Sequence, residues 1–194
     1  PKVVPGIYTI KLTVDGNPQT QSLKVVMDPR SPATPEILRQ QLQVGQEMFS
    51  QTMEARRALA EITSVQKQLS DLTQKLDDKN SAIKSGLTEA QTEISTIMKP
   101  QNNNKTSAPA GGLENGFSDM ITALRVVESG DRTVPSQAIV AYNQSRQQVQ
   151  AAIAAWGNFK TNKLPQLNRK LSDRNLAPIA ISEIEQEVEF LMSR

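Results

Sequence analysis

The 194-residue chain contains no cysteine and no histidine. Without cysteine it forms no disulfide, no thiolate nucleophile and no cysteine-ligated zinc site. Without histidine it lacks the usual general base, the Ser-His and Cys-His catalytic pairs and the commonest transition-metal ligand. We therefore expect a protein that is not an enzyme, and the sequence assigns no catalytic, cofactor-binding or metal-binding residue.

Aromatic residues are also scarce, at 4% of the chain. Cores built mainly from aliphatic residues and alanine are common in helical bundles and less usual in sandwiches or barrels. Lysine and arginine number 22 against 20 acidic residues, and the charges are interspersed. Such a chain has no basic patch to steer nucleic acid and no aromatic platform for stacking bases, so we expect no nucleic-acid partner.

The sequence also lacks long hydrophobic runs. No stretch of about 18 apolar residues occurs, so we expect no membrane span. The chain shows no signal segment, but it opens at Pro1 within a strand-like pattern. We therefore expect that it is a fragment whose targeting segment lies upstream.

Residues 1–30 predict a β-hairpin. A first strand alternates polar residues with the apolar face Tyr8, Ile10, Leu12 and Val14, and Asp15 and Gly16 supply a tight turn. The return strand is predicted at residues 21–27, because Pro18 is expected to keep the loop from continuing as strand. Since an isolated hairpin is marginal in water, we expect the end of a larger β-domain, with this apolar face lying on the helices or on a neighbouring chain.

The next segment predicts a very long helix. Thr34 is the expected N-cap and Pro35 the first helical residue. Apolar periodicity then continues to about Lys79, a length of roughly 65 Å at 1.5 Å per residue, with a break at residues 77–81. The predicted buried stripe is Leu38, Leu42, Phe49, Thr52, Leu59, Ile62, Leu69, Leu72 and Leu76.

Further helices are predicted at 81–98, at 113–128, from Ser136 to about Leu171, and over a short terminal segment beginning at Ser182. A flexible loop is expected at 99–112, because it is rich in Asn, Pro and Gly. Pro165 predicts a bend near residues 162–165. The predicted fold is mainly α: an antiparallel bundle of long helices at 31–194 preceded by the hairpin at 1–30.

Several groups of residues have the side chains that a binding or catalytic site requires. Asp15 and Gly16, and Asp28, Pro29 and Arg30, could ligate an ion, but turn formation explains them better because calcium-loop spacing is absent. The acids Asp71, Asp77, Asp78, Glu89 and Glu93 alternate with lysines, which is typical of a solvated surface.

Other side chains allow both a binding and a structural interpretation. Arg56, Arg57 and Arg146 could bind an anion or reach water and a surface acid such as Glu54. Trp156 and Phe159 could line a pocket, although packing is favoured. Glycosylation sequons begin at Asn104 and Asn143, but this pattern is short and common.

The chain resembles the C-terminal region of BNR/Asp-box β-propeller proteins, the sialidase-like and sortilin-like "glycosyl hydrolase" group of secreted bacterial proteins. The resemblance rests on PGIYTIKLTVDG, on VVMDPR, and near the other end on Trp156, Leu164, Pro165, Leu167, Asn168, Leu171, Leu176, Pro178 and Ile179. It implies an immunoglobulin-like strand pair followed by a helical segment, and a secreted or periplasmic location. The Asp-box repeats are absent, so no catalytic residue transfers.

These observations favour a non-catalytic accessory or interaction module of a larger secreted or periplasmic propeller protein, which packs on upstream domains or binds a partner. One alternative is a self-associating coiled-coil adaptor and homo-oligomer, supported by heptads at 59–76 and opposed by Gly45. A glycoside hydrolase fragment is the remote alternative.

Overall fold

The computed structural model describes residues 2–77, 81–99 and 112–181. Its elements are β1 Gly6–Val14, β2 Asn17–Val25, α1 Pro35–Lys75, α2 Ser81–Met98, α3 Leu113–Glu128, α4 Ser136–Asn158, a π-helical segment Phe159–Lys163 and α5 Leu164–Ser172. The predicted fold class, a helical bundle preceded by a β-hairpin, is confirmed. The predicted terminal helix from Ser182 and nearly all of the predicted loop at 99–112 lie outside the described residues.

Helix α1 begins as the sequence predicts. Thr34 has extended backbone, its hydroxyl accepts a hydrogen bond from the Ile37 N–H at 3.3 Å, and Pro35 opens the helix. With 41 residues the helix is about 60 Å long. It ends at Lys75, and Leu76 is already extended. Because α2 starts at Ser81, the predicted break is confirmed.

The buried face of α1 differs from the predicted stripe. Phe49, Leu59, Leu72 and Leu76 are only partly buried and pack beside the core, and Leu42 is partly buried in the wall of a cavity at the base of the hairpin. The buried positions are Leu38, Gln41, Gly45, Met48, Thr52, Ala55, Ala58, Ile62, Val65 and Leu69. Small residues occupy much of this seam, so neighbouring helices can approach closely there.

The polar members of the seam satisfy their own hydrogen bonds. The Thr52 hydroxyl donates to the Met48 carbonyl one turn earlier, at 2.7 Å. The amide of Gln41 donates to the carbonyls of Val127 and Gly130, at the end of α3. Gln41 therefore caps α3 from another helix, which is why a glutamine can be buried.

Cross-helix pairs define the arrangement of the bundle. Tyr142 and Trp156 of α4 bond to Gln51 and Glu61 of α1, so these two helices run in the same direction. Gly116 of α3 lies against Val149, whereas Gly86 of α2 faces Leu167. Helices α2 and α3 therefore follow one another antiparallel to α4 and α5. In cross-section the bundle has three members: α1, the α2–α3 succession, and α4 with α5.

Pro165 is accommodated by a π-helical segment. A proline inside an α-helix removes one N–H and crowds the carbonyl four residues earlier. Here the Leu164 N–H bonds to the Phe159 carbonyl, five residues back, and Pro165 falls in the first turn of α5. The predicted irregularity lies where expected, and it takes the form of a wider helical turn.

Candidate interaction surface

The hairpin arm, residues 6–25, is a pair of antiparallel nine-residue strands. Its turn contains only Asp15 and Gly16, with φ of 49° and 80°, the signature of a type I′ turn. The predicted start of the return strand is wrong, because β2 begins at Asn17 and Pro18 pairs with Thr13. In a two-residue hairpin that second pair exchanges no backbone hydrogen bonds, so β1 does not need the N–H that proline lacks.

The register places most of the apolar side chains of the two strands on one side, which we call the apolar face, although Asn17, Gln19 and Gln21 share that side opposite Val14, Leu12 and Ile10. Its members are Tyr8, Ile10, Leu12, Val14, Leu23 and Val25. Ile10, Leu12, Val14 and Leu23 are 52%, 60%, 56% and 46% exposed. On the opposite side, Ile7 stands exposed among threonine, serine and lysine side chains.

Within the described part of the chain, no helix covers the apolar face. The expectation that the bundle covers it is therefore wrong for these residues, and the alternative, a neighbouring chain or domain, stays a prediction. The physical reason lies in the bundle itself: its three members bury one another's apolar stripes, and the core of the described residues contains no residue of the two strands.

The base of the arm rests on the end of the bundle. Val25, Val26 and Met27 face Leu38 and Leu42 across a cavity of about 130 Å³. Polar contacts tie the same region to the end of α3. The Lys2 amine lies 3.4 Å from the Asp131 carboxylate, and the Ser31 hydroxyl donates to the Asp131 carbonyl. The arm is thus anchored at its base and free along its length.

Asp28 and Arg30 form the predicted turn below the arm. The Asp28 carbonyl accepts the Ser31 N–H, and its carboxylate accepts the Arg30 backbone N–H at 2.9 Å. The Arg30 guanidinium donates to both carboxylate oxygens, at 3.0 and 2.8 Å. These hydrogen bonds from Arg30 lower the pKa of Asp28 and raise that of Arg30. Turn formation therefore accounts for this acid.

The candidate acid pairs lie on the helix surface. Asp71, Asp77, Glu89 and Glu93 are exposed, and Glu93 approaches the Lys163 amine at 4.0 Å. Asp78 lies outside the described residues. Among the residues that are described, no group of three or more acids could hold a metal ion. The predicted solvated surface is confirmed for the four described acids.

The candidate arginines are not brought together. Arg57 is exposed and Arg56 half-buried on α1. Arg146 extends from α4 toward Glu47, with 3.6 Å between guanidinium and carboxylate, and Glu54 is not its partner. Its Nε atom is buried without a hydrogen bond. The half-exposed side chain reaches water and a surface acid, as the snorkelling interpretation predicts.

The candidate aromatic pair is part of the core. Trp156 and Phe159 are each 1% exposed, and their rings stack with centroids 5.3 Å apart. The predicted packing role is confirmed. The sequon at Asn143 lies within α4, where its Ser145 is buried, and the sequon at Asn104 lies outside the described residues.

Two side-chain hydrogen-bond networks were not predicted from the sequence. Glu61 accepts hydrogen bonds from both Trp156 and Lys160, each at 2.7 Å. Gln68 and Asn168 hold the backbone of the segment that follows α5, residues 176–181. Glu61 and Gln68 each bond to residues about a hundred positions away, and Asn168 bonds to Ile179 across the turn that ends α5, so no local motif predicts these contacts.

The chain matches no protein-family model, and comparisons with curated proteins and with solved structures also find no match. Of the helices in the described ranges, none combines the length and the apolar character that crossing a membrane requires.

Proposed function

We propose that this chain is a non-catalytic interaction module of a larger protein, and that its hairpin arm docks on a β-sheet of the same polypeptide. The observation that supports the proposal is the exposed apolar face. The largest contiguous apolar patch on a monomeric protein is often functional, and a two-stranded sheet gains stability when a further layer packs on it. The sequence is consistent with a non-catalytic role, because it lacks histidine and cysteine.

The chemistry of the arm favours a β-sheet as its occupant. One face carries most of the apolar side chains and the other is mostly polar, the pattern of a strand pair in the outer sheet of a sandwich. Both outer strand edges also present unpaired backbone groups, because the sheet has only two strands in the described residues. A flat sheet layer satisfies the apolar face, and its neighbouring strands can satisfy an edge.

The size of the face favours an occupant in the same polypeptide over a second copy. Nine residues at about 3.3 Å, over a pair of strands about 10 Å wide, offer roughly 300 Å². A stable interface between free proteins needs about 800 Å² from each partner. A domain tethered by the chain overcomes the deficit, since its effective concentration is of millimolar order.

The resemblance to the C-terminal regions of secreted Asp-box propeller proteins extends this proposal. It implies that the sheet on which the hairpin arm docks belongs to an immunoglobulin-like sandwich. It also implies a secreted or periplasmic location. The coiled-coil alternative has less support, because the buried seam of α1 is already occupied by α2, α3 and α4 of the same chain.

Site-specific photo-cross-linking in the native gene product tests the proposal. A photoreactive phenylalanine analogue replaces Leu12 on the apolar face, or Ile7 on the opposite side as the matched control. We expect the probe at position 12 to cross-link within the same polypeptide and the probe at position 7 to cross-link far less. Equal labelling from both positions would contradict docking through this face, and cross-links only to a second copy or another protein would contradict the proposed occupant.

A further inference from the structure

The segment after α5 is held by its backbone. Asn168 of α5 donates to the Ile179 carbonyl at 2.9 Å and accepts the Ile179 N–H at 2.8 Å. Gln68 of α1 donates to the Ala180 carbonyl at 2.7 Å and accepts the Ala180 N–H at 2.9 Å. Each carboxamide thus exchanges two hydrogen bonds with a single residue, as a paired strand does in an antiparallel sheet. We call Asn168 and Gln68 the amide clamp.

The side chains of this segment add one deep contact. Ile179 is 3% exposed, whereas Ala177, Pro178 and Ala180 are exposed. Because the amide clamp binds only main-chain groups, selectivity rests on the pocket that receives Ile179. We call the place between α1 and α5 that holds this segment the groove; there the buried Ile179 carries the side-chain recognition, and the exposed Ala180 side chain adds none.

The connection from α5 to this segment is a helix-ending turn. The Leu176 N–H bonds to the Leu171 carbonyl and the Asn175 N–H to the Ser172 carbonyl, which is the Schellman pattern. Asn175 has φ of 56°, a left-handed conformation that asparagine adopts more readily than other non-glycine residues but less readily than glycine. Residues 172–175 are exposed. If α5 continued as a helix through this turn, the segment would leave its groove and Asn175 would be relaxed.

We propose that residues 176–181 are an exchangeable segment, which a second copy of this chain accepts in the same groove. Each copy's Ile179 and Ala180 would then be held by the partner's Asn168 and the partner's Gln68. The occupant is a second copy because it carries the sequence that already fits this groove, and the exchange replaces every contact with an identical one. This inference is independent of the proposed role of the hairpin arm.

A complementation experiment tests the exchange with full-length chains. One variant, Ile179→Asp, keeps the amide clamp and spoils the segment. The other, Gln68→Ala with Asn168→Ala, keeps the segment and spoils the clamp. At about 1 mM, comparable to the effective concentration of a tethered segment, we expect each variant alone to be monomeric and their mixture to form a heterodimer on light scattering.

Circular dichroism first confirms that both variants are helical. A folded mixture that stays monomeric would overturn the proposal, and so would equal dimerisation of either variant alone.

Hinge variants provide a second measurement that keeps both the clamp and the segment. Asn175→Ala should shift the equilibrium of each chain from the left-handed turn to an open hinge by about fivefold. Because the exchanged dimer opens two hinges, its association constant should rise roughly 25-fold. Asn175→Gly removes the penalty and should lower it below the wild-type value. Equal dimerisation of the Ala and Gly variants would contradict the exchange.

Discussion

The indole nitrogen of Trp156 donates a hydrogen bond of 2.7 Å to the Glu61 carboxylate, across the interface between α4 and α1. The same oxygen accepts the Lys160 amine at 2.7 Å, and that amine lies 5.6 Å from the centre of the Trp156 ring. Glu61 is therefore the point at which a buried aromatic residue and a surface cation are tied to the longest helix.

Removing the Glu61 carboxylate should destabilise the bundle. Glu61→Ala leaves the buried Trp156 N–H without its partner, which costs roughly 2–3 kcal/mol in the free energy of unfolding. Glu61→Gln keeps an acceptor for the indole and should cost roughly 1 kcal/mol. Urea denaturation measures both values.

Lys160→Ala is the control for this prediction. The Lys160 side chain is one-third exposed, so its ion pair with Glu61 should contribute less than about 1 kcal/mol. The interpretation fails if Glu61→Ala costs no more than Lys160→Ala, because the buried indole would then not depend on the carboxylate.

The stability of the protein should fall at high pH because of Tyr142. Burial raises the pKa of Tyr142 to about 12 from an ordinary value of 10.0; the positive charge of Arg146 opposes this rise and the negative charge of Glu47 adds to it. The folded state therefore keeps this proton where the unfolded state loses it. The resulting stability is complete below pH 10 and is lost as the pH rises from 10 toward 12, by roughly 3 kcal/mol in all.

Tyr142→Phe isolates this effect. The hydroxyl donates to the Gln51 side chain at 3.0 Å, so the variant loses about 1 kcal/mol at neutral pH. Between pH 9 and 11.5, however, its free energy of unfolding should fall less than that of the wild type. Parallel curves for the two proteins over this range would rule out Tyr142 as the source.

Local signals allowed much of the helical fold to be predicted. Thr34 and Pro35 mark the start of α1 because capping involves only neighbouring residues. Helices α2 and α3 begin and end at the predicted residues, since their apolar spacing and flanking polar residues belong to short segments. These features depend on a few consecutive positions, which any single sequence displays.

Packing partners were not predictable in the same way. Gln41 of α1 is buried although it is polar, because the end of α3 supplies two carbonyl acceptors. Gly45 is buried in the same seam, although glycine is a weak helix former. Pro18 is compatible with a strand because its missing N–H falls in a non-bonded pair. The sequence did not identify which element packs on the exposed apolar face. Alternation along a strand predicts that one side is apolar, but it carries no information about the packing partner.

Close packing at Gly116 gives a prediction on helix approach. A Cβ at this position would lie 2.6 Å from Cγ2 of Val149 and 3.4 Å from the Ser145 carbonyl. Valine is too short and too restricted to move aside, so Gly116→Ala should destabilise the protein by about 1–3 kcal/mol.

Gly157→Ala is the matched control on the facing helix. A Cβ at Gly157 meets nothing within 4 Å, so this change should stabilise α4 by about 0.5–1 kcal/mol. Adding Val149→Ala to Gly116→Ala should recover part of the loss, and thermal unfolding ranks the four proteins. If Gly116→Ala and Gly157→Ala shifted the melting temperature alike, close approach of α3 and α4 would not be the cause.

The hairpin arm should unfold without the bundle when its turn is disturbed. Gly16 has φ of 80°, which a β-branched residue adopts only under strain. A strand pair that no helix covers in the described residues is marginally stable, so Gly16→Val should abolish protection of the amides at 6–25 in hydrogen exchange. Asp15→Asn provides the opposite control, since Asn-Gly is strongly preferred in type I′ turns and should increase the same protection. The helical amides and the melting temperature should stay unchanged in both variants, because the bundle buries its own core. A fall in helix stability with Gly16→Val would show that the arm belongs to that core and is not an independent docking surface.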